Sequence, residues 1–107
     1  MNINILGVQY QIKRDKDIEE RLIQQGLDGE CDLYEKIIYI KPSWHMLSAE
    51  DTLESRTERY KEVLRHEIIH AIFHESGLSQ YEDDETLVDF IALQFPKMTD
   101  IFNNIVD

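Results

Sequence analysis

The residues from Tyr60 to Glu75 read YKEVLRHEIIHAIFHE and contain neither glycine nor proline. Apolar side chains recur along this stretch at helical spacing and cover most of the helix circumference: Tyr60, Val63, Leu64, Ile68, Ile69, Ala71, Ile72 and Phe73. A helix that is apolar around most of its surface is a buried one. Gly77 follows at a place where glycine commonly terminates a helix. The stretch therefore predicts a buried helix over residues 60–75, against which the rest of the chain packs.

The first forty residues predict short strands. Residues Asn2–Lys13 alternate between two faces, which is typical of a strand, and Gly7 marks a bulge or turn within it. Residues Gly29–Leu33 and Lys36–Ile40 form two further predicted strands, and Pro42 ends the second because proline cannot donate to a sheet. We therefore expect a small antiparallel sheet of about three strands.

Two polar segments flank these strands. Residues Asp15–Gln25 are charged and predict either a short helix that ends at Gly26 or an irregular loop. Residues 48–51 read SAED and resemble a capping box, with a side-chain acceptor followed three residues later by a carboxylate. Residues 48–55 as a whole are interpreted as a polar loop or a separate turn before the buried helix.

The C-terminal third predicts further helix. Leu78–Asp84 is interpreted as a connecting loop, and Glu85–Phe95 carries apolar residues at helical spacing. Pro96 is expected to stop or kink this helix, and Met98–Val106 then forms a short terminal helix. The prediction is one α+β domain over residues 1–107, in which the small sheet packs on the buried helix and the following C-terminal helix.

Composition limits the partners of the protein. The chain has 11 Lys and Arg against 22 Asp and Glu, which gives a formal net charge of −11 at pH 7. So large a negative charge repels phosphates, so direct nucleic-acid binding is not expected. The sequence has no membrane-spanning run and no secretory signal pattern. The one cysteine, Cys31, suits a reducing compartment, and we expect a cytoplasmic protein without a membrane partner.

Within the predicted helix, residues 66–70 have the pattern H-E-x-x-H. Residues four apart lie one turn above each other on a helix, so His66 and His70 can direct two imidazoles at one cation. Zinc takes such nitrogen ligands in tetrahedral geometry. Glu67 lies on the rim of the same face, where it can take a proton from water that the metal activates. The alternative interpretation is a solvated helix face that carries these residues without a metal. The apolar flanks argue against it, because the burial of two histidines and a glutamate is costly unless they serve a common function.

A catalytic zinc needs a third protein ligand and one open position. The metzincin pattern requires Gly and His at offsets that hold Phe73 and Ser76 here, so that pattern is excluded. The gluzincin pattern takes a glutamate from a following helix, which makes Glu85 the predicted third ligand. Asp89, one turn later, would accept a hydrogen bond from a ligand histidine. Three acids on the preceding loop are rival ligands, or an acidic helix start: Glu82, Asp83 and Asp84.

With these residues in place, residues 60–96 resemble the ImmA/IrrE-like family of small zinc peptidases, many of which are carried by phages and mobile elements. The family pattern is H-E-x-x-H on one helix, followed by a helix of the approximate form E-x-x-A-N-x-F-A-x-x-L-L. The second helix reads ETLVDFIALQF here, with Asp89 in place of the usual asparagine. The resemblance implies a minimal zincin-like fold, a general base at Glu67 and cleavage of a transcriptional repressor. The zinc ligands that it implies are His66, His70 and Glu85.

Other residues are candidates for substrate contact. His74 extends the histidine series by one turn and is a candidate for substrate or oxyanion binding, although the helix carries it towards the polar margin of the cleft. In gluzincins the edge strand beside the zinc binds the substrate backbone, and Ile37–Lys41 is the predicted edge strand. Tyr39 or His45 would then stabilise the oxyanion. The alternative is that Tyr39 is an ordinary aromatic residue of the sheet and His45 a solvated histidine of a loop. Cys31 is interpreted as a small semi-buried residue.

Two functions follow as hypotheses. The first is a zinc-dependent metalloendopeptidase that hydrolyses a peptide bond in a protein substrate, for which a transcriptional regulator is one candidate. The alternative is a non-catalytic, zinc-stabilised phage protein that binds and disables a regulator or a host protein. The acidic surplus either keeps the protein soluble or steers a basic partner, such as the DNA-binding domain of a repressor.

Overall fold

A computed structural model of the chain describes residues 1–46 and 52–106. Within these residues the strands and helices follow in this order: β1 Asn2–Ile5, β2 Val8–Lys13, α1 Lys16–Gln25, β3 Gly29–Asp32, β4 Ile37–Ile40, α2 Leu53–Glu75 and α3 Glu85–Asn103. Short 3₁₀ turns lie at Ser43–His45 and Ser79–Tyr81. The predicted α+β class is confirmed, whereas the predicted capping box at 48–51 lies outside the described residues. None of the described helices has the length and apolar character needed to cross a membrane.

The sheet has four strands where about three were predicted, because residues Asn2–Lys13 form a hairpin and not one strand. Leu6 and Gly7 have positive φ angles of 51° and 90°, the pair of conformations that a tight two-residue hairpin turn requires. The side chain of Asn4 accepts a hydrogen bond from the Gly7 N–H at 2.9 Å. The chain therefore reverses at this turn, and the apolar residues of β1 and β2 share one face of the sheet.

The strand order is β1-β2-β4-β3, with antiparallel pairs β1–β2 and β3–β4 and a parallel pair β2–β4. The prediction of an antiparallel sheet is therefore wrong at its centre. A parallel pair requires a long connection, and the chain provides one through α1 and β3. The main core lies between one face of this sheet and α2, and its buried members are Ile5, Tyr10, Ile12, Ile38, Ile40, Met46, Val63 and Ala71.

β4 is an inner strand, and not the edge strand that the sequence predicts for Ile37–Lys41. It pairs with β2 on one side and with β3 on the other. Its sequence, IIYI, is the near-continuous apolar run that is typical of a strand covered on both faces. On the second face lies α1, whose Arg21 guanidinium is 4.7 Å from the ring centre of Tyr39. The edge strands of the described sheet are β1 and β3.

The first two helices begin at side-chain caps. Asp15 caps α1, and Gly26 ends that helix with a φ angle of 68°, so the predicted helix is confirmed. α2 begins at Leu53, earlier than predicted, because Thr52 and Ser55 each accept a hydrogen bond from the other's backbone N–H. This reciprocal cap satisfies donors that a helix start leaves free, and it extends α2 into the polar segment.

α3 continues through Pro96, where the sequence predicts a stop or a kink, followed by a short terminal helix from Met98. Pro96 has no N–H, so it leaves the carbonyl of Ala92, four residues earlier, without its helical partner. The Arg65 side chain of α2 replaces that partner, since its Nε–H donates to the Ala92 carbonyl oxygen at 2.8 Å. One unbroken helix results, and it packs on α2 through a small second core.

The last residue of α2, Glu75, ties the helix to the sheet. Its Oε2 accepts hydrogen bonds from Lys36 Nζ at 2.7 Å and from the Tyr10 hydroxyl at 2.5 Å. These hydrogen bonds hold the pKa of Glu75 below its usual range, because both stabilise the charged carboxylate. Burial and the same carboxylate raise the pKa of Tyr10. The C-terminal end of α2 is thus held by a partly buried ion pair.

Replacing Glu75 by Gln should destabilise the protein by about 2 kcal/mol at neutral pH, since two donors lose a charged acceptor. The folded-state pKa of Glu75 lies below its unfolded value of about 4.3. Its contribution is therefore complete above the unfolded pKa and is lost as the pH falls through the folded pKa. Urea unfolding of the wild type and the variant across this pH range measures the difference.

Glu58→Gln is the matched control, because Glu58 forms an exposed pair with Lys61 at 3.5 Å on the same helix. We expect this variant to lie within about 0.5 kcal/mol of the wild type at every pH. A stability difference for Glu75→Gln that stays constant into the acid range would contradict the role given to its charge.

Candidate metal centre

Two histidines of α2 and one glutamate of α3 meet between these helices. His66 and His70 lie one turn apart, and their Nε2 atoms are 3.1 Å from each other. Glu85, the first residue of α3, places Oε2 3.0 Å from His66 Nε2 and Oε1 3.1 Å from His70 Nε2. Among the described residues, these three form the one group of His, Cys, Asp and Glu side chains close enough to hold a single metal ion.

The other ring nitrogen of each histidine faces an acceptor. His66 Nδ1 lies 2.7 Å from Asp89 Oδ1, and His70 Nδ1 contacts the backbone carbonyl oxygen of Glu82. A carbonyl oxygen can only accept, so the proton of a neutral His70 lies on Nδ1, and the Asp89 carboxylate favours the same tautomer in His66. Nε2 of each ring then presents a lone pair to the shared site.

This donor set fits a tetrahedral divalent cation. Two imidazole lone pairs and a carboxylate that face one another at 3.0–3.1 Å repel, unless a cation or added protons lie between them. Zinc bound at roughly 2.0–2.1 Å in tetrahedral geometry places neighbouring ligand atoms about 3.3 Å apart, which is close to the observed spacing. Three nitrogen and oxygen ligands that leave a fourth position open are typical of catalytic zinc sites.

Glu67 lies beside this group and is buried, with 7% of its surface exposed. Within residues 1–46 and 52–106 its carboxyl group has no hydrogen-bond or ion-pair partner. Burial, and then the negative charges of Glu85, Glu30 and Asp89, raise the pKa of Glu67 to about 8. A bound divalent cation acts in the opposite direction, because it favours the charged carboxylate. The geometry therefore places a carboxyl group, free to exchange a proton, next to the candidate metal ligands.

Arg65 connects α2 and α3 next to the site. It directly precedes His66, and its hydrogen bond holds the Ala92 carbonyl, which lies about one turn after Asp89 on α3. Glu85 and Asp89 come earlier on the same helix. By fixing the position of α3 along α2, this contact also helps to position the two carboxylates.

Three cavities follow one another along β3 and form what we call the β3 groove. The central cavity, about 380 Å³, is lined by the candidate ligands. A second cavity of about 260 Å³ shares Gly29 and Glu67 with it and extends to Arg59. A third, about 560 Å³, shares Leu33 with the central cavity and extends to Lys36. The groove therefore runs past the candidate metal site on both sides.

Three predicted substrate residues lie away from the ligand group. His45 pairs with Glu19 of α1, and Tyr39 lies on the sheet face that α1 covers. Neither residue lines any of the three cavities of the β3 groove. His74 lines the third cavity, where its Nδ1 is 2.7 Å from Glu82 Oε2. His74 therefore occupies the margin of the groove, which is the place that its helical position predicts.

The three loop acids that the sequence offers as alternatives to Glu85 are not part of the ligand group that the described residues form. The Glu82 side chain contacts a histidine further along α2, Asp84 caps the N-terminus of α3, and Asp83 lines the wall of the central cavity. Cys31 lines the same cavity, and burial followed by nearby negative charge raises the pKa of its thiol to about 12. A thiol with so high a pKa stays protonated at neutral pH, so Cys31 is a wall residue here.

Three features of the site were not predicted from the sequence: Gly29 beside Glu67, the Arg65 contact and the carbonyl of Glu82. A proline inside an otherwise helical pattern could have indicated the second, because the carbonyl that it frees needs a donor from elsewhere. The backbone carbonyl of Glu82 has no signal in the sequence, since every residue carries the same group.

Comparisons of the chain with known protein families, with curated proteins and with solved structures found no match. What the protein does is therefore inferred from the site residues and their geometry.

Replacing Arg65 by Met should destabilise the protein by about 1–3 kcal/mol, because the carbonyl of Ala92 loses its donor. Pro96→Ala restores a backbone N–H four residues after Ala92, so the same Arg65→Met change should cost less in that background. A double-mutant cycle on urea unfolding free energies measures this coupling. Equal costs in the two backgrounds would show that Arg65 does not compensate for the proline.

Proposed function

We propose that this protein is a zinc-dependent metallopeptidase of gluzincin type, which hydrolyses a peptide bond within a protein substrate. The observation that carries the proposal is the meeting of His66 Nε2, His70 Nε2 and the Glu85 carboxylate at 3.0–3.1 Å. Glu67, buried beside this group, supplies the carboxyl group that hydrolysis requires. The proposal includes membership of the ImmA/IrrE-like family, whose helix patterns residues 60–96 resemble.

The two histidines and Glu85 would hold the ion. Bound zinc supplies a Lewis acid that polarises the substrate carbonyl and makes water nucleophilic at neutral pH. Asp89 and the Glu82 carbonyl orient the imidazoles, since each contacts an Nδ1 and leaves Nε2 for the ion. Asp89 can contact His66 in this way because it lies one helical turn after Glu85.

Glu67 acts first as general base and then as general acid. Its carboxylate accepts a proton from the attacking water and delivers it to the nitrogen of the leaving amine. Burial strengthens Glu67 as a base, because removal of water disfavours the charged form. A divalent cation held by the neighbouring ligands would favour the charged carboxylate before the attack.

The edge of β3 is the proposed binding surface for the substrate backbone. The Asp28 carbonyl accepts from the Lys41 N–H at 3.1 Å, so alternate residues from Asp28 onwards direct their backbone groups towards β4. The backbone groups of Gly29 and Cys31 then point outwards, and an extended segment can pair with them as an added strand. Because the β3 groove continues on both sides of the site, a substrate chain can pass through it, which favours cleavage within a chain.

Charge favours a basic substrate segment. The protein has a net charge of −11, and Glu30 and Asp83 add negative charge to the central cavity. Opposite charge increases the rate of encounter, so we propose a basic protein segment of the kind that DNA-binding regulators carry. The lone thiol of Cys31 suits the reducing conditions of the cytoplasm, where we place the reaction.

Zinc binding tests the ligand assignment. The purified protein should bind one zinc ion, as measured by elemental analysis and by competition with a chelator. Asp89→Asn removes the acceptor behind His66 and should weaken zinc binding roughly 10–100-fold, and Glu85→Gln should weaken it further because a ligand is lost. Asp83→Asn, on the loop before α3, is the matched control: it removes a charge from the same cavity but no ligand, so it should weaken zinc binding much less than Glu85→Gln. Equal zinc affinities of Glu85→Gln and Asp83→Asn would contradict the assignment.

Hydrolysis tests the role of Glu67. Glu67→Gln should keep zinc and lose at least about 100-fold in kcat/KM, since an amide cannot take the proton. The assay uses internally quenched peptides with both ends blocked, with basic or acidic flanks, at low and high salt. Glu62→Gln is the matched control, because Glu62 also lies on α2 and lines the groove but pairs with Arg59.

Retained hydrolysis by Glu67→Gln would contradict the assigned base. Zinc binding by a wild type that cuts no peptide or protein would instead support the non-catalytic alternative, in which the zinc-stabilised protein binds and disables a regulator or a host protein. Cleavage of basic and acidic peptides at the same rate, without salt dependence, would remove the charge-based part of the proposal.

A further inference from the structure

Gly29 begins β3 at the point where the edge strand passes Glu67. A side chain at this position would place its Cβ 3.0 Å from Val63 Cγ1, 3.2 Å from Glu67 Cγ and 3.3 Å from Glu67 Oε2. All three distances are shorter than ordinary van der Waals contacts of a Cβ atom, so a neighbour would have to shift by a few tenths of an ångström. Gly29 does not have a positive φ angle. The nearness of α2, and not the backbone conformation, therefore favours a glycine here.

The same position joins two parts of the β3 groove. The central cavity and the cavity towards Arg59 both have Gly29 and Glu67 in their walls. A side chain at residue 29 would therefore occupy the part of the β3 groove that the Glu67 carboxyl group lines.

We propose that Gly29 is a positioning residue for Glu67: because it lacks a side chain, the Glu67 carboxyl group can lie against the edge of β3, where the substrate pairs. This inference rests on the proposed function. Val63 is β-branched and has one preferred rotamer in a helix, so it cannot easily move aside. The Glu67 side chain is the more adaptable neighbour, and an added methyl group displaces it from the groove.

Kinetic measurements on Gly29→Ala test this inference. We expect kcat to fall at least about tenfold, with KM and zinc affinity unchanged, because the base is misplaced while the ligands and the edge of β3 are retained. The unfolding temperature should fall as well, whereas alanine at an unstrained glycine position normally raises it.

The double variant Gly29→Ala/Val63→Ala separates positioning from packing. Val63→Ala removes the Cγ1 atom that would lie 3.0 Å from the new methyl group and leaves both contacts with Glu67. In the Val63→Ala background, Gly29→Ala should therefore lower the unfolding temperature less but lower kcat by a similar factor. A double variant with the kcat of Val63→Ala alone would show that Gly29 serves packing only and would overturn the proposal.

A crystal structure of zinc-loaded Gly29→Ala decides the question without an activity assay. We expect the Glu67 carboxyl group to shift by a few tenths of an ångström or more, while β3 and the three ligand side chains keep their places. A Glu67 that keeps its position while β3 moves away from α2 would overturn the proposal. If the wild type hydrolyses nothing, the proposed function fails, but this structure still decides what Gly29 does to Glu67.

Discussion

The site depends on one electrostatic constraint, which is that His66 Nε2, His70 Nε2 and the Glu85 carboxylate face one another at 3.0–3.1 Å. All three are acceptors once each imidazole proton is on Nδ1, so they stay together only if positive charge lies between them. Protons or a metal ion can supply that charge, and a tetrahedral ion contacts all three groups at once. The two long helices bring the acceptors together, since one carries both histidines on a single face and the other begins with the glutamate.

Around this group, the carboxyl group of Glu67 is buried and has no hydrogen-bond or ion-pair partner among the residues that the structure describes. Glu67 is held between α2 and the edge of β3, where removal of water raises its pKa. Such a group costs free energy, which a purely structural role would not explain. Gly29 makes the arrangement sterically possible, because the strand can approach the helix closely without covering the carboxylate. The Glu67 carboxyl group, the candidate metal ligands and the edge strand thus lie along one groove.

Local features of the sequence were sufficient to predict part of the fold and of the candidate site. The helix over residues 60–75, its end before Gly77 and the common face of His66 and His70 follow from helical periodicity, which depends on near neighbours alone. For the segment before Gly26 the sequence left a short helix and an irregular loop as alternatives, and the structure shows the helix. The hairpin at Leu6 and Gly7 was missed, although the apolar positions change there from odd to even numbers, which is the pattern expected when a two-residue turn returns the chain along the same face.

The identity of the edge strand and the contact between α3 and α2 depend on packing between distant parts of the chain. A strand's neighbours depend on the path of the connection, so the crossover through α1 makes β4 an inner strand and β3 the edge beside the site. The continuity of α3 at Pro96 depends on Arg65, which is distant in sequence. The approach of Glu85 to both histidines depends on the packing of two helices. Which chemical groups are present, and which of them share a helix face, can be read from the order of the residues, because these are local properties. Their distances across elements are set by packing, which joins residues far apart in the chain.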